Sequence, residues 1–279
     1  RQMCIRDSSG PIVILLHAQP SNQEQFNKLK DVLKNNYTVI SIDRPGMGYS
    51  ESIKEQSPKR LMQQARLVRG LVREITNEKP IVVGHSYGGA LALSYVVQFE
   101  EEISGLIVVN TASHAWKKGK PWLPFRIISN PLYGKLFTNT FAMLYGQTTI
   151  SSSANSNFPN GQTPSNYIDD TSAALILRPK TLESYATDAL NLREALALQQ
   201  DSYAKLSLPV TIMSGDEDNV TPNKIHSYKL HNDISHSKLI KVSGVAHSIP
   251  ELKPSLITVS YTHLRAHETP EHLVCRLLL

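Results

Sequence analysis

The stretch from Ile81 to Leu93, IVVGHSYGGALAL, constrains this 279-residue chain more than any other. Ile81 to Val83 is a short apolar β-branched run, the pattern of a strand buried on both faces. Gly84-His85-Ser86-Tyr87-Gly88 fits G-x-S-x-G. The small residues Gly88, Gly89 and Ala90 open a helix that continues through Leu91, Leu93 and Tyr95. The expected unit is strand, tight turn and helix, with a serine at the apex.

That placement has a chemical reason. A serine hydroxyl is a weak nucleophile until a base takes its proton. A sharp turn exposes the oxygen and brings neighbouring backbone close, which calls for glycine two residues to either side. The helix N-terminus behind it offers a backbone N–H and a positive dipole end to a developing oxyanion. The stretch resembles the nucleophile elbow of the α/β-hydrolase superfamily, in its serine-hydrolase branch. The resemblance implies a three-layer α/β fold with a mostly parallel sheet and a helical cap insertion.

The remaining strands are spaced to suit that fold. Pro11–Leu16 is a buried strand running into His17-Ala18-Gln19-Pro20. The resemblance makes Gln19 one oxyanion-hole N–H donor and Tyr87 the other. Ala18 stands where the superfamily usually has glycine, and alanine tolerates positive φ poorly. His17 reads as a packed structural histidine. Gln25–Leu33 and Arg60–Glu74 are helical, and Tyr37–Ile42 is a strand. Asp43-Arg44-Pro45-Gly46-Met47-Gly48-Tyr49-Ser50 lacks the third glycine and the Lys-Ser or Lys-Thr of a phosphate loop. It matches a structural turn of the superfamily. A further strand ends at Asn110, where some branches carry the catalytic acid; this chain has no carboxylate there.

Residues 113–205 break the strand–helix alternation. They hold two tryptophans, several prolines, a Ser/Asn/Gly/Pro-rich loop from Ser151 to Ser165, and helical stretches around Tyr167–Leu177 and Thr181–Gln199. This insertion is the expected cap, which would shape the pocket and exclude water. Trp116, Trp122, Phe125 and Tyr133 are either the lining of an apolar acyl site or the insertion's own core.

Leu208–Ser214 is a strand before Gly215-Asp216-Glu217-Asp218-Asn219-Val220-Thr221-Pro222. Aligned on the superfamily's loop, Asp218 is the triad acid and Asp216 its rival. Lys238–Val242 leads to Ser243-Gly244-Val245-Ala246-His247, where His247 is the expected base and Ala246 replaces a usual glycine. His226, His231 and His236 read as surface residues. The implied triad is therefore Ser86, Asp218 and His247, in the chain order expected of the superfamily.

Ser86 excludes the chemistry of haloalkane dehalogenases and epoxide hydrolases of this fold, which place aspartate at the elbow. The expected function is cleavage of a carboxylic ester of a small, fairly apolar substrate through an acyl-enzyme, with no metal or organic cofactor. Hydrolysis of a carbon–carbon bond in a vinylogous diketone, a cofactor-free perhydrolase and a small-molecule receptor of the same fold stay open beside it.

Composition narrows the partners. The formal charge of +5 is spread along the chain, which leaves no nucleic-acid footprint. No stretch is long and apolar enough to span a bilayer. A soluble domain with the cytoplasm as its compartment is the expectation. The two ends, residues 1–8 and 259–279, resemble translated adapter sequence and are left out of the expected fold. Both cysteines, Cys4 and Cys275, lie there, as do His263, His267 and His272, whose spacing mimics a metal pair without implying one. The expected division is 9–112 and 206–258 for the core and 113–205 for the cap. The first two sheet strands and most of the last helix are expected to be missing.

Overall fold

The computed structural model describes residues 3–6, 10–117, 119, 123–130, 132–161 and 163–265. The apolar β-branched runs become strands β1 (Met3–Arg6), β2 (Ile12–Leu16), β3 (Thr38–Ile42), β4 (Ile81–His85), β5 (Gly105–Val109), β6 (Val210–Gly215) and β7 (Lys238–Val242). They form one sheet in the order β1-β3-β2-β4-β5-β6-β7. Six strands run parallel, and β1 pairs antiparallel with β3 from Met3↔Ile42 to Arg6↔Val39.

The sheet's two faces explain why the central strands carry apolar residues at successive positions. Ile14, Leu16, Val82, Val108 and Ile212 pack on one side with α2 (Arg60–Ile75) and α3 (Tyr87–Phe99). Val13, Leu15, Val83, Ile107 and Met213 pack on the other, where α1 (Asn27–Leu33) and α10 (Pro254–Arg265) lie. Burial on both faces removes the polar–apolar alternation of a one-sided strand.

Two expectations about the ends are corrected. Met3–Arg6 is an edge strand, so one antiparallel strand precedes the parallel set. Its extended backbone satisfies hydrogen-bonding groups that β3 would otherwise leave open. The last helix, α10, runs on to Arg265, into the stretch left out of the expected fold, and its own Ile257 and Ser260 are fully buried. Cys275, His267 and His272 lie outside the described residues.

Between β5 and β6 the chain makes a large helical insertion. It contains α4 (Leu123–Ile128), α5 (Gly134–Ser156), α6 (Tyr167–Asp170) and α7 (Pro179–Gln199). The loop expected from Ser151 does not begin there, because α5 continues to Ser156. Near its end Ser156 Oγ donates back to the Ser153 carbonyl at 2.8 Å. Buried Ile150 and Ala154 give that last stretch an apolar face. Among the described residues, no helix is long and apolar enough to cross a membrane.

Candidate active site

Ser86 sits between β4 and α3 with φ 56° and ψ −118°, a region an L-residue adopts only under constraint. The constraint comes from close packing. A Cβ on Gly84 would meet the Gly88 carbonyl oxygen at 2.3 Å, and one on Gly88 would meet the Leu16 carbonyl oxygen at 2.0 Å. Only glycine fits at either position, so the turn's spacing is a steric requirement. Tyr87 opens α3, and its N–H is among the first-turn amides that have no intrahelical acceptor.

Parallel strands β6 and β7 deliver two further loops to the same sheet edge. His247 Nδ1 donates to Asp218 Oδ2 at 2.9 Å. That fixes the proton on Nδ1 and leaves Nε2 as a base. Both side chains are buried. Asp218 Oδ1 accepts the N–H groups of Val220 and Thr221 at 2.8 and 3.1 Å, and Oδ2 accepts Thr221 Oγ1 at 2.7 Å. Burial opposes ionisation of Asp218. The hydrogen bond and charge of His247, with Thr221, outweigh it and hold the carboxyl below its ordinary value. Asp216 is turned elsewhere and accepts the N–H of Gly244 at 2.8 Å.

His85 ties the base loop to the serine turn. Its Nε2 donates to the His247 carbonyl at 2.8 Å, and its Nδ1 accepts from Gln25 Nε2 at 3.0 Å. The two imidazole rings lie 4.7 Å apart. Burial and the neighbouring His247 push the His85 pKa down to about 3, so it is a neutral strut. The base loop is thereby held against the serine turn through residue 85.

Asn110 is the residue whose role the sequence hid, being visible there only as a missing carboxylate. It is fully buried at φ 43°. Its Oδ1 accepts the Gly215 N–H at 2.8 Å, its Nδ2 donates to the Ala246 carbonyl at 2.9 Å, and its own carbonyl lies 2.9 Å from Thr221 Oγ1, whose one proton it shares with Asp218. One side chain thus braces the loops that carry Asp218 and His247.

Other expectations meet their outcome here. His17 is a packed structural residue: Nε2 accepts the Arg44 N–H at 3.0 Å, and Nδ1 donates to the Ala18 carbonyl at 2.8 Å. Neither Ala18 nor Ala246 sits at positive φ, so alanine brings no strain to either loop. Gln19 is tied to the insertion through Nε2, which donates to the Tyr185 carbonyl at 3.0 Å. The Asp43–Ser50 turn is structural, with Asp43 accepting the N–H groups of Gln23 and Tyr49. His226 is not a surface residue. It is 4% exposed and accepts the Ser113 N–H through Nδ1, because the loop after β5 folds over it.

A cavity of about 670 Å³ lies between the sheet edge and the insertion. Ala18, Gln19, His85 and His247 form its floor, and Phe125, Ile128, Phe137, Leu182 and Tyr185 are among its apolar walls. Of the aromatic residues read as either lining or the insertion's own core, Phe125 is the one among the described residues that lines the cavity. Trp116 instead packs against the main core and the His226 ring, and Tyr133 is half-exposed at the start of α5. Trp122 lies outside the described residues. Among the described residues, no group of three or more His, Cys, Asp or Glu is placed to hold a metal ion.

Comparison with known proteins fits this geometry. A family model described as the alpha/beta hydrolase fold matches residues 11–254. The chain is 25% identical over 250 residues to a Bacillus subtilis protein named uncharacterized hydrolase YugF, covering 88% of this chain and 86% of that one. It is 25% identical over 143 residues to epoxide hydrolase 3 of Xenopus tropicalis, covering 50% of this chain but only 36% of the relative. Among solved structures, the 2-hydroxy-6-oxo-6-phenylhexa-2,4-dienoate hydrolase of a Rhodococcus strain superposes with a TM-score of 0.76 at 17% identity, covering 94% and 93% of the two chains.

Proposed function

The chain belongs to the α/β-hydrolase family, and from that premise we propose that it is a serine hydrolase acting on carboxylic esters. The observation that carries this reading is the 2.9 Å contact between His247 Nδ1 and Asp218 Oδ2, set against a serine held at positive φ on a strand–helix turn. Ser86 is the nucleophile. His247 takes its proton through Nε2 as Oγ attacks the carbonyl carbon. Asp218 orients the imidazole and stabilises its cation. The N–H of Tyr87, with that of Gln19, receives the negative charge that develops on the carbonyl oxygen. His247 then protonates the departing alcohol and activates the water that releases the acid.

A relative named as an epoxide hydrolase does not move this reading, because the elbow residue here is serine. The Rhodococcus hydrolase favours a second reading, cleavage of a carbon–carbon bond in a vinylogous diketone by the same three residues. A receptor with little turnover is the third. Its mark would be labelling without steady hydrolysis.

Labelling with a fluorophosphonate, with mass spectrometry to locate the adduct, tests the nucleophile. The adduct is expected on Ser86 and absent from Ser86→Ala. Short-chain esters and a dienoate diketone are then offered side by side. Ester turnover should fall on the order of 10⁴-fold or more in Ser86→Ala. Faster cleavage of the diketone would move the assignment to carbon–carbon hydrolysis, and folded protein that takes no label would end the hydrolase reading.

A further inference from the structure

Glu251 follows His247 by one helical turn, in α9 (Ile249–Leu252), and lines the cavity. It is 6% exposed. Its Oε1 accepts from Gln25 Nε2 at 2.8 Å. Its Oε2 is buried and has no hydrogen-bond partner among the described residues. Among the described residues, every other one that lines the cavity is neither Asp, Glu, Lys nor Arg. A carboxyl at the wall of such a chamber is costly, since a buried acceptor left unpaired loses its water without replacement.

The group is also held in place. Gln25 donates to Glu251 and to His85 Nδ1 with its amide nitrogen, and accepts the Ala18 N–H at 2.8 Å with its amide oxygen. The carboxyl is therefore fixed relative to both the base loop and the loop of Gln19. Nothing in the ester mechanism uses it. Burial pushes its pKa up to about 6, which fits an acceptor that lacks a full set of donors.

We propose that Glu251 is a specificity-determining residue whose Oε2 accepts a hydrogen bond from a substrate hydroxyl, so that the preferred esters carry a hydroxyl near the scissile carbonyl or further along the chain. This rests on the ester reading for the turnover it predicts. The recognition itself can be read without turnover. A site built to bond a hydroxyl discriminates against the analogue that lacks it far more than an apolar wall can discriminate between the two.

The test compares methyl 3-hydroxybutanoate with methyl butanoate, and methyl 6-hydroxyhexanoate with methyl hexanoate. The readout is the ratio of kcat/KM within each pair, so a general loss of activity divides out. Binding of the same four esters to Ser86→Ala protein is measured beside it. The wild-type protein should prefer one hydroxy ester by about tenfold or more. Glu251→Leu should bring that ratio to about one, whereas Glu251→Gln, which keeps an acceptor oxygen, should retain most of it. No preference in either pair, or a preference that survives in Glu251→Leu, overturns the proposal. Turnover of all four esters without preference would sink this inference and leave the ester reading standing. Selective binding of a hydroxy ester without turnover would do the reverse.

Discussion

The sheet edge and the helical insertion above it hold their parts of the candidate site by different means. At the edge, Ser86, Asp218 and His247 are fixed by backbone and by buried polar contacts. The Gly84–Gly88 approach sets the first, and the Asn110 brace and the Thr221 hydroxyl set the other two. The insertion meets the core through α7, which packs on α2 and α3, and through side-chain contacts. Asn157 supplies one carbonyl to the His247 N–H at 3.1 Å and to Ser248 Oγ at 2.7 Å. Asp188 of α7 meets Arg60 Nε at 2.5 Å and Arg44 Nη1 at 3.6 Å. Thr171 and Gly48 accept from Asn22 and Arg178 across the same boundary. The difference teaches that chemistry is built where the backbone decides position. Most of the cavity wall is built where side chains do, in the insertion, and Glu251 is the charged side chain that the core adds to it.

The boundary itself gives the largest expected effect on stability. Asp188 is fully enclosed and faces two arginines that are just as enclosed, with Gln64 Nε2 also donating to it at 2.9 Å. Asp188→Ala leaves two guanidinium charges buried without a counter-ion. The expected loss is about 3–5 kcal/mol, read by chemical denaturation. A loss under 1 kcal/mol would mean the insertion moves aside and lets water reach Arg44 and Arg60, and the two regions would then be less tightly joined than their geometry implies.

Asn110→Ala sharpens the comparison from the core side. It removes the brace between the acid and base loops while touching no part of the cavity. Two buried hydrogen bonds lost with their partners left unpaired cost about 1–3 kcal/mol each. The effect on ester turnover should fall on kcat rather than KM, by about tenfold or more, because the substrate walls belong to the other region. A change confined to KM would mean that Asn110 shapes the pocket instead.

What was legible in the sequence follows the same division. Strands such as Ile81–Val83 and Leu106–Val109 could be placed because burial on both faces writes a continuous apolar run. The elbow could be placed because its glycines are sterically required. Asn110 and Glu251 could not be assigned roles, because a brace or a buried acceptor is defined by partners more than one hundred residues away, such as Ala246 and Gln25. His226 reads as charged and exposed in its own segment, and only the packing of the loop after β5 buries it. In the insertion, the size of Trp116 and Tyr133 suits either a pocket lining or a local core, and only the chain's path decides where each lies.

Glu251 supplies a test that runs on pH. Its folded pKa stands near 6 against an ordinary 4.5, with burial the leading cause. A raised carboxyl pKa means the folded state holds its proton more tightly than the unfolded state. Stability contributed by that proton is full below about pH 4.5 and is lost as pH rises through about 6. Above that, the ionised carboxyl costs about 2 kcal/mol. Glu251→Gln should therefore stabilise the protein at pH 8 by up to about 2 kcal/mol, and the gain should vanish near pH 4.5. Equal stability changes at both pH values would show that the carboxyl is not burdened by its site.

The smallest effect lies on the outer face of the insertion, and it isolates what position does to one residue type. Leu16 is fully buried in β2, whereas Leu136 of α5 is 69% exposed. Replacing Leu16 with alanine removes a side chain from a close-packed layer and leaves a cavity, for an expected loss of about 2–5 kcal/mol. Replacing Leu136 with alanine removes a side chain that is already mostly in water, in a helix where alanine is at least as good a former, so the change should stay within about 0.5 kcal/mol. Thermal melting of the two variants against the parent reads both. A large drop for Leu136→Ala would mean that this face is covered in solution, and the insertion would then be as position-bound as the sheet edge it overlies.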